Sequence, residues 1–115
     1  MLQSGFGFNM TKAANDLLTY CYQNCDDEYE CDFYEDELLN IFGFVITYES
    51  YAKVYKFLLS NDFIRDYDLG EMAIRQYKPK LEKYAYRISL TTKAIIYVES
   101  LSGNWIFYFA PFLQY

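Results

Sequence analysis

The sequence predicts one α+β domain: three helices, a β-hairpin, a closing helix and an aromatic C-terminal tail. Three observations carry this expectation. Apolar residues recur at steps of three and four through residues 12–60, as helices with one buried face require. The apolar period changes to two between residues 63 and 90. The chain has 115 residues, 53% of them hydrophobic, which is enough for one packed core and fits a single small domain.

The elements follow in order. Thr11 can cap a first helix from about Lys12 to Cys25, with Ala14, Leu17, Leu18, Cys21 and Cys25 on its buried face. The run DDEYECDFYEDE, residues 26–37, holds eight acids and no base. Its first half reads as a solvated loop. Asp32 and Glu35 then have capping-box spacing for a short second helix carrying Leu38, Leu39 and Phe42 and stopping at Gly43. Thr47 caps a third helix to about Ser60. Tyr51, Val54, Tyr55 and Leu58 line one face of it, and Glu49, Lys53, Lys56 and Ser60 the other.

FIRDY (63–67) then reads as a strand, DLG (68–70) as a turn and MAIRQY (72–77) as a second extended piece ended by Pro79. KYAYRISL (83–90) alternates cleanly between Tyr84, Tyr86, Ile88, Leu90 and the residues between them. Thr91 or Thr92 caps a last helix, about 92–101. The tail NWIFYFAPFLQY is too apolar to hang in water. Residues 1–10 are expected to form an N-terminal arm, 11–102 the domain and 103–115 the tail, packed on the domain or dimerising.

Two strings carry a family resemblance. SYAKVYKFLLSNDFI (50–64) resembles the recognition helix and exit strand of winged helix-turn-helix domains. YRISLTTKAIIYVESL (86–101) resembles the strand and closing helix that follow the wing in many bacterial and mobile-element regulators of that type. The resemblance covers residues 11–102. It departs from the family at Asn61-Asp62, where a glycine is usual, and in the stretch 65–83, which is long for a wing. It implies a DNA-binding transcriptional regulator, double-stranded DNA as partner, and a homodimer through the terminal element. Trp105, Phe107, Phe109 and Phe112 would be the dimer contacts.

The charges sharpen the candidate site. The chain carries a net −6, split unevenly: residues 1–50 hold one base and ten acids, residues 51–115 nine bases and six acids. Nucleic-acid affinity follows local phosphate contacts, not whole-chain charge. The candidates are Lys53 and Lys56 on the third helix and Arg75, Lys78, Lys80, Lys83 and Arg87 on the wing, interleaved with Tyr77 and Tyr84. The helix has no Arg or Gln on its exposed face, so phosphate contact is expected over base readout. The alternative is a protein-protein interaction module without DNA binding. There the acid run, through Asp26, Asp27, Glu28 and Glu30, would engage a basic partner or mimic nucleic acid.

Other classes find little support. No histidine is present for acid–base work near neutrality, and neither a glycine-rich phosphate loop nor a nucleophile elbow occurs, so an enzyme is not expected. Cys21, Cys25 and Cys31 are an odd set with no His beside them, so no metal site or cofactor is expected and buried thiols are. No stretch is long enough to span a membrane. The start, MLQSGFGFNMTK, has no basic stretch followed by an apolar run, so no secretory signal is expected and the expected compartment is the cytoplasm.

Overall fold

The computed structural model describes residues 8–67 and 69–101. The chain runs α1 (Met10–Asn24), β1 (Glu30–Tyr34), α2 (Leu38–Phe42), α3 (Tyr48–Ser60), β2 (Gln76–Lys78), β3 (Lys83–Ser89) and α4 (Thr92–Leu101). Short 3-10 turns at Glu35–Glu37 and Gly70–Ala73 precede α2 and β2. The strands form one antiparallel sheet in the order β1-β3-β2. This is an α+β fold of four helices and a small sheet. The arm before residue 8 lies outside the described residues, as do the tail and its Trp105, Phe107, Phe109 and Phe112.

The helices form where their apolar spacing places them. The first is capped two residues earlier than expected. Asn9 Oδ1 accepts from the Lys12 backbone N–H at 3.0 Å, so Asn9 and not Thr11 satisfies the free donor, and the helix spans 10–24, not 12–25. α1 buries Ala13, Ala14, Leu17, Leu18 and Cys21. In α3 the Thr47 hydroxyl accepts from Ser50 N–H at 3.1 Å, and Tyr51, Val54, Tyr55 and Leu58 are the buried face. α2 ends at Gly43, whose φ of +79° lets its N–H return to the Leu39 carbonyl at 2.8 Å.

The sheet corrects three expectations. The acid run is a turn only over residues 26–29, as expected of its first half, and residues 30–34 then form β1, fully paired with β3. Cys31 and Phe33 turn inward while Glu30, Asp32 and Tyr34 turn out, a strand alternation hidden among acids. The second helix is accordingly not opened by Asp32 and Glu35. Glu37 reaches back instead, accepting from the Tyr34 backbone N–H at 2.8 Å. The segment 63–67 contributes only the bridge Ile64↔Leu90, and 72–77 is split between the 3-10 turn and a three-residue β2. The turn at Pro79–Glu82 fixes where β2 and β3 meet, because Lys78 pairs with Lys83.

The core lies between the helices and the inner face of the sheet. Phe33 and Tyr86 stack across β1 and β3 with centroids 5.4 Å apart and an interplanar angle of 2°. Tyr51 of α3 meets the Tyr86 ring edge-on at 4.8 Å, and Phe42 of α2 closes the cluster. The Tyr51 hydroxyl is buried and has no hydrogen-bond partner among the described residues. Cys21 and Cys31 are buried thiols; Cys25 is half-buried beyond the end of α1. Burial pushes the Cys21 thiol well up, and a hydrogen bond with Cys21 holds Cys31 below its usual range. No described helix is long and apolar enough to cross a membrane.

Candidate nucleic-acid interface

Amphipathic spacing on α3 turns Lys53 and Lys56 outward, opposite the buried face. Neither forms an ion pair among the described residues. Asn61, the amide side chain at the end of α3, is spent on the helix: its Nδ2 donates to the Phe57 carbonyl at 2.8 Å. The exposed face of α3 is therefore Glu49, Lys53, Lys56 and Ser60.

The hairpin divides its five candidate bases into two kinds. Lys78 and Lys80 sit at its tip. Lys78 Nζ donates to Gln76 Oε1 at 3.0 Å, and neither lysine meets a carboxylate among the described residues. The other three are held by the acid run. Arg75 lies between two tyrosine rings, 3.8 Å from the centroids of Tyr48 and Tyr84, and reaches Glu35 at 3.4 Å. Lys83 meets Asp36 at 3.3 Å and lies 4.9 Å from the Tyr34 ring centre. Arg87 holds Asp32 with two hydrogen bonds, at 2.7 and 3.1 Å, and approaches Glu30 at 4.0 Å. Asp32 raises the Arg87 pKa further, so that guanidinium stays charged and locally balanced.

These contacts explain the charge split. Asp32 and Arg87 are cross-strand partners in the register of β1 and β3. Glu35 also accepts from the Tyr86 hydroxyl at 3.1 Å, and Glu37 from Tyr20 at 2.7 Å. Most of the acid run therefore satisfies the protein itself.

The four acids of the alternative site divide the same way. Asp26 accepts from the backbone N–H groups of Glu28 (2.8 Å) and Glu30 (3.0 Å). Those donors, Glu30 first, hold its carboxyl below the usual carboxylate range. Glu30 accepts from the Tyr67 hydroxyl at 2.7 Å and from Ser89 at 3.2 Å. Asp27 and Glu28 are left exposed on the turn before β1.

Two surface features were not read from the sequence. Leu39, Phe44 and Val45 form an exposed apolar patch beside the start of α3, with Val45 84% exposed. The run FGFVI was the available signal, but it reads equally well as a buried connector. The second feature is a groove on the outer face of the sheet, which no local pattern announces, because its walls come from three strands and from Tyr67, Leu69, Met72 and Ala73. Among the described residues no three His, Cys, Asp or Glu side chains gather to hold a metal ion. No family model, curated protein or solved structure matches the chain.

Proposed function

We propose that the chain is a winged-helix DNA-binding regulator of the cytoplasm that grips duplex phosphates through four lysines. Lys53 and Lys56 on α3 and Lys78 and Lys80 on the hairpin tip make the contacts. The observation that carries the reading is the order α1-β1-α2-α3-β2-β3 with strands arranged β1-β3-β2. In that order a helix capped by Thr47 is followed by an antiparallel hairpin, and the two elements carry four lysines that have no carboxylate partner among the described residues. Arg75, Lys83 and Arg87 serve this reading as scaffold, since each already has an acidic partner.

The exposed face of α3 supports phosphate contact over base readout, because it offers no Arg, Asn or Gln. Four phosphate contacts correspond to a slope of about −3.6 in log affinity against log salt. Fluorescence anisotropy with a mixed-sequence duplex over a salt series tests this. Lys78→Ala and Lys80→Ala should each reduce the slope by about one. Absence of duplex binding at low salt removes the reading.

One observation favours a second reading, a protein-binding module. The exposed Leu39, Phe44 and Val45 patch adjoins an apolar cleft of about 290 Å³ lined by Leu38, Ile46 and Tyr48, with Glu35 and Asp36 at its rim. Such a surface suits a protein better than a duplex. The acid turn supports this alternative less, because Asp26 and Glu30 are engaged internally.

A further inference from the structure

Strand alternation and register place Asp32 and Tyr34 of β1, Ala85 and Arg87 of β3, and Gln76 and Lys78 of β2 on the face of the sheet away from the core. Tyr67, Leu69, Met72 and Ala73 lie over this face and border a groove of about 480 Å³. That volume falls within the range of roughly 300–1,000 Å³ typical of small-ligand sites. Ala85 puts only a methyl group on the floor, between its cross-strand neighbours Tyr34 and Gln76. Leu69 and Met72, both more than half exposed, form the apolar wall.

Two tyrosines border the groove with rings partly open to water, Tyr34 and Tyr67. The Tyr67 ring is fixed in place, because its hydroxyl bonds to both Glu30 and Ser89. A fixed aromatic ring loses little freedom when a planar ligand stacks on it. The floor also carries polar groups of both kinds: the Gln76 amide, and the Asp32–Arg87 pair with its donors and acceptors side by side. Lys78 supplies a cation without a carboxylate partner among the described residues. Stacking surface, mixed donors and acceptors, and a nearby cation are what an unpaired base and its phosphate require. A paired duplex hides its base faces and cannot use this groove.

We propose that the groove binds one unpaired nucleotide of a single-stranded nucleic acid, the base against Tyr34 and Tyr67 and the phosphate at Lys78. The site shares Lys78 with the duplex reading but none of Lys53, Lys56 and Lys80, and it does not require duplex binding.

The test is a titration of the full chain with short oligothymidylate, followed by amide and methyl NMR. Duplex DNA and polyglutamate are titrated in parallel. The expected result is saturable shifts at Tyr34, Met72 and Ala85 with oligothymidylate alone, and at Lys78 with oligothymidylate and duplex alike. Tyr34→Ala should weaken binding by about 5- to 100-fold, and Tyr34→Phe, which keeps the ring, by less than about twofold. Lys78→Ala should lower the salt slope by about one. The spectra themselves report whether each variant is folded. No shifts with oligothymidylate overturn the proposal. So do equal shifts with polyglutamate, which would reveal an acid-binding surface without base stacking. Duplex shifts at Lys53, Lys56, Lys78 and Lys80 with no oligothymidylate shifts at Tyr34, Met72 or Ala85 would overturn this site while leaving the duplex reading intact.

Discussion

Tyr51 and Tyr86 touch in the core with ring centres 4.8 Å apart, and removing the hydroxyl from each should change stability in opposite directions. Tyr51 is fully buried, and its hydroxyl has no partner among the described residues. Burying a hydroxyl without a hydrogen bond costs about 1–3 kcal/mol. Tyr51→Phe removes that cost and leaves a void of one oxygen, worth roughly 0.5 kcal/mol or less. The net expectation is a gain of about 0.5–2.5 kcal/mol.

Tyr86→Phe instead deletes a donor that reaches Glu35 at 3.1 Å, and should lose about 1 kcal/mol. For a domain of this size each kcal/mol moves the melting temperature by about 3–6 °C. Urea denaturation followed by circular dichroism, with a shared m-value, separates the two variants. A Tyr51→Phe protein destabilised by more than about 0.5 kcal/mol would refute the reasoning. The hydroxyl would then hold a partner, and an internal water would be the first to look for.

Three further expectations follow from the same contacts. Arg75→Lys keeps the charge but loses a planar cation between two rings, and should cost about 1–2 kcal/mol in the same denaturation assay; an unchanged midpoint would leave the sandwich without energetic weight. Burial raises the hydroxyl pKa of Tyr51 well above 10 and that of Tyr86 to about 12. Folded values above the unfolded one mean that stability is full below pH 10 and drains as pH climbs through 12. Tyrosinate absorbance and circular dichroism should then change together, and ionisation of these tyrosines without unfolding would contradict their burial. Asp26 has the opposite sign: its lowered carboxyl stabilises above pH 3.8 and stops doing so as pH falls through its folded value. Asp26→Asn keeps the acceptor oxygen and should flatten that acid dependence in urea midpoints measured on either side of pH 3.8.

The helices were legible because each carries its instructions locally. Thr47 and the spacing Tyr51, Val54, Tyr55, Leu58 specify α3 without reference to the rest of the chain. The alternation of residues 83–90 likewise specifies β3. β1 was not legible, because its outward positions are acids that look solvated until Arg87 stands opposite Asp32. That pairing joins residues 55 apart in sequence, and no local window contains it. The same blindness affected the candidate site. Lys83 and Arg87 look like free cations in the sequence, but the chain returns carboxylates to them across the sheet and from the 3-10 turn. On α3 and at the hairpin tip no acidic element folds back among the described residues.

The arginine between Tyr48 and Tyr84 also has a mechanical meaning. It joins the first residue of α3 to the middle of the sheet through two ring contacts of equal length, with Glu35 as a third anchor from a separate turn. Two levers bolted at one pivot cannot swing separately. A displacement of Tyr84 on β3 is thereby passed through Arg75 to Tyr48 at the start of α3.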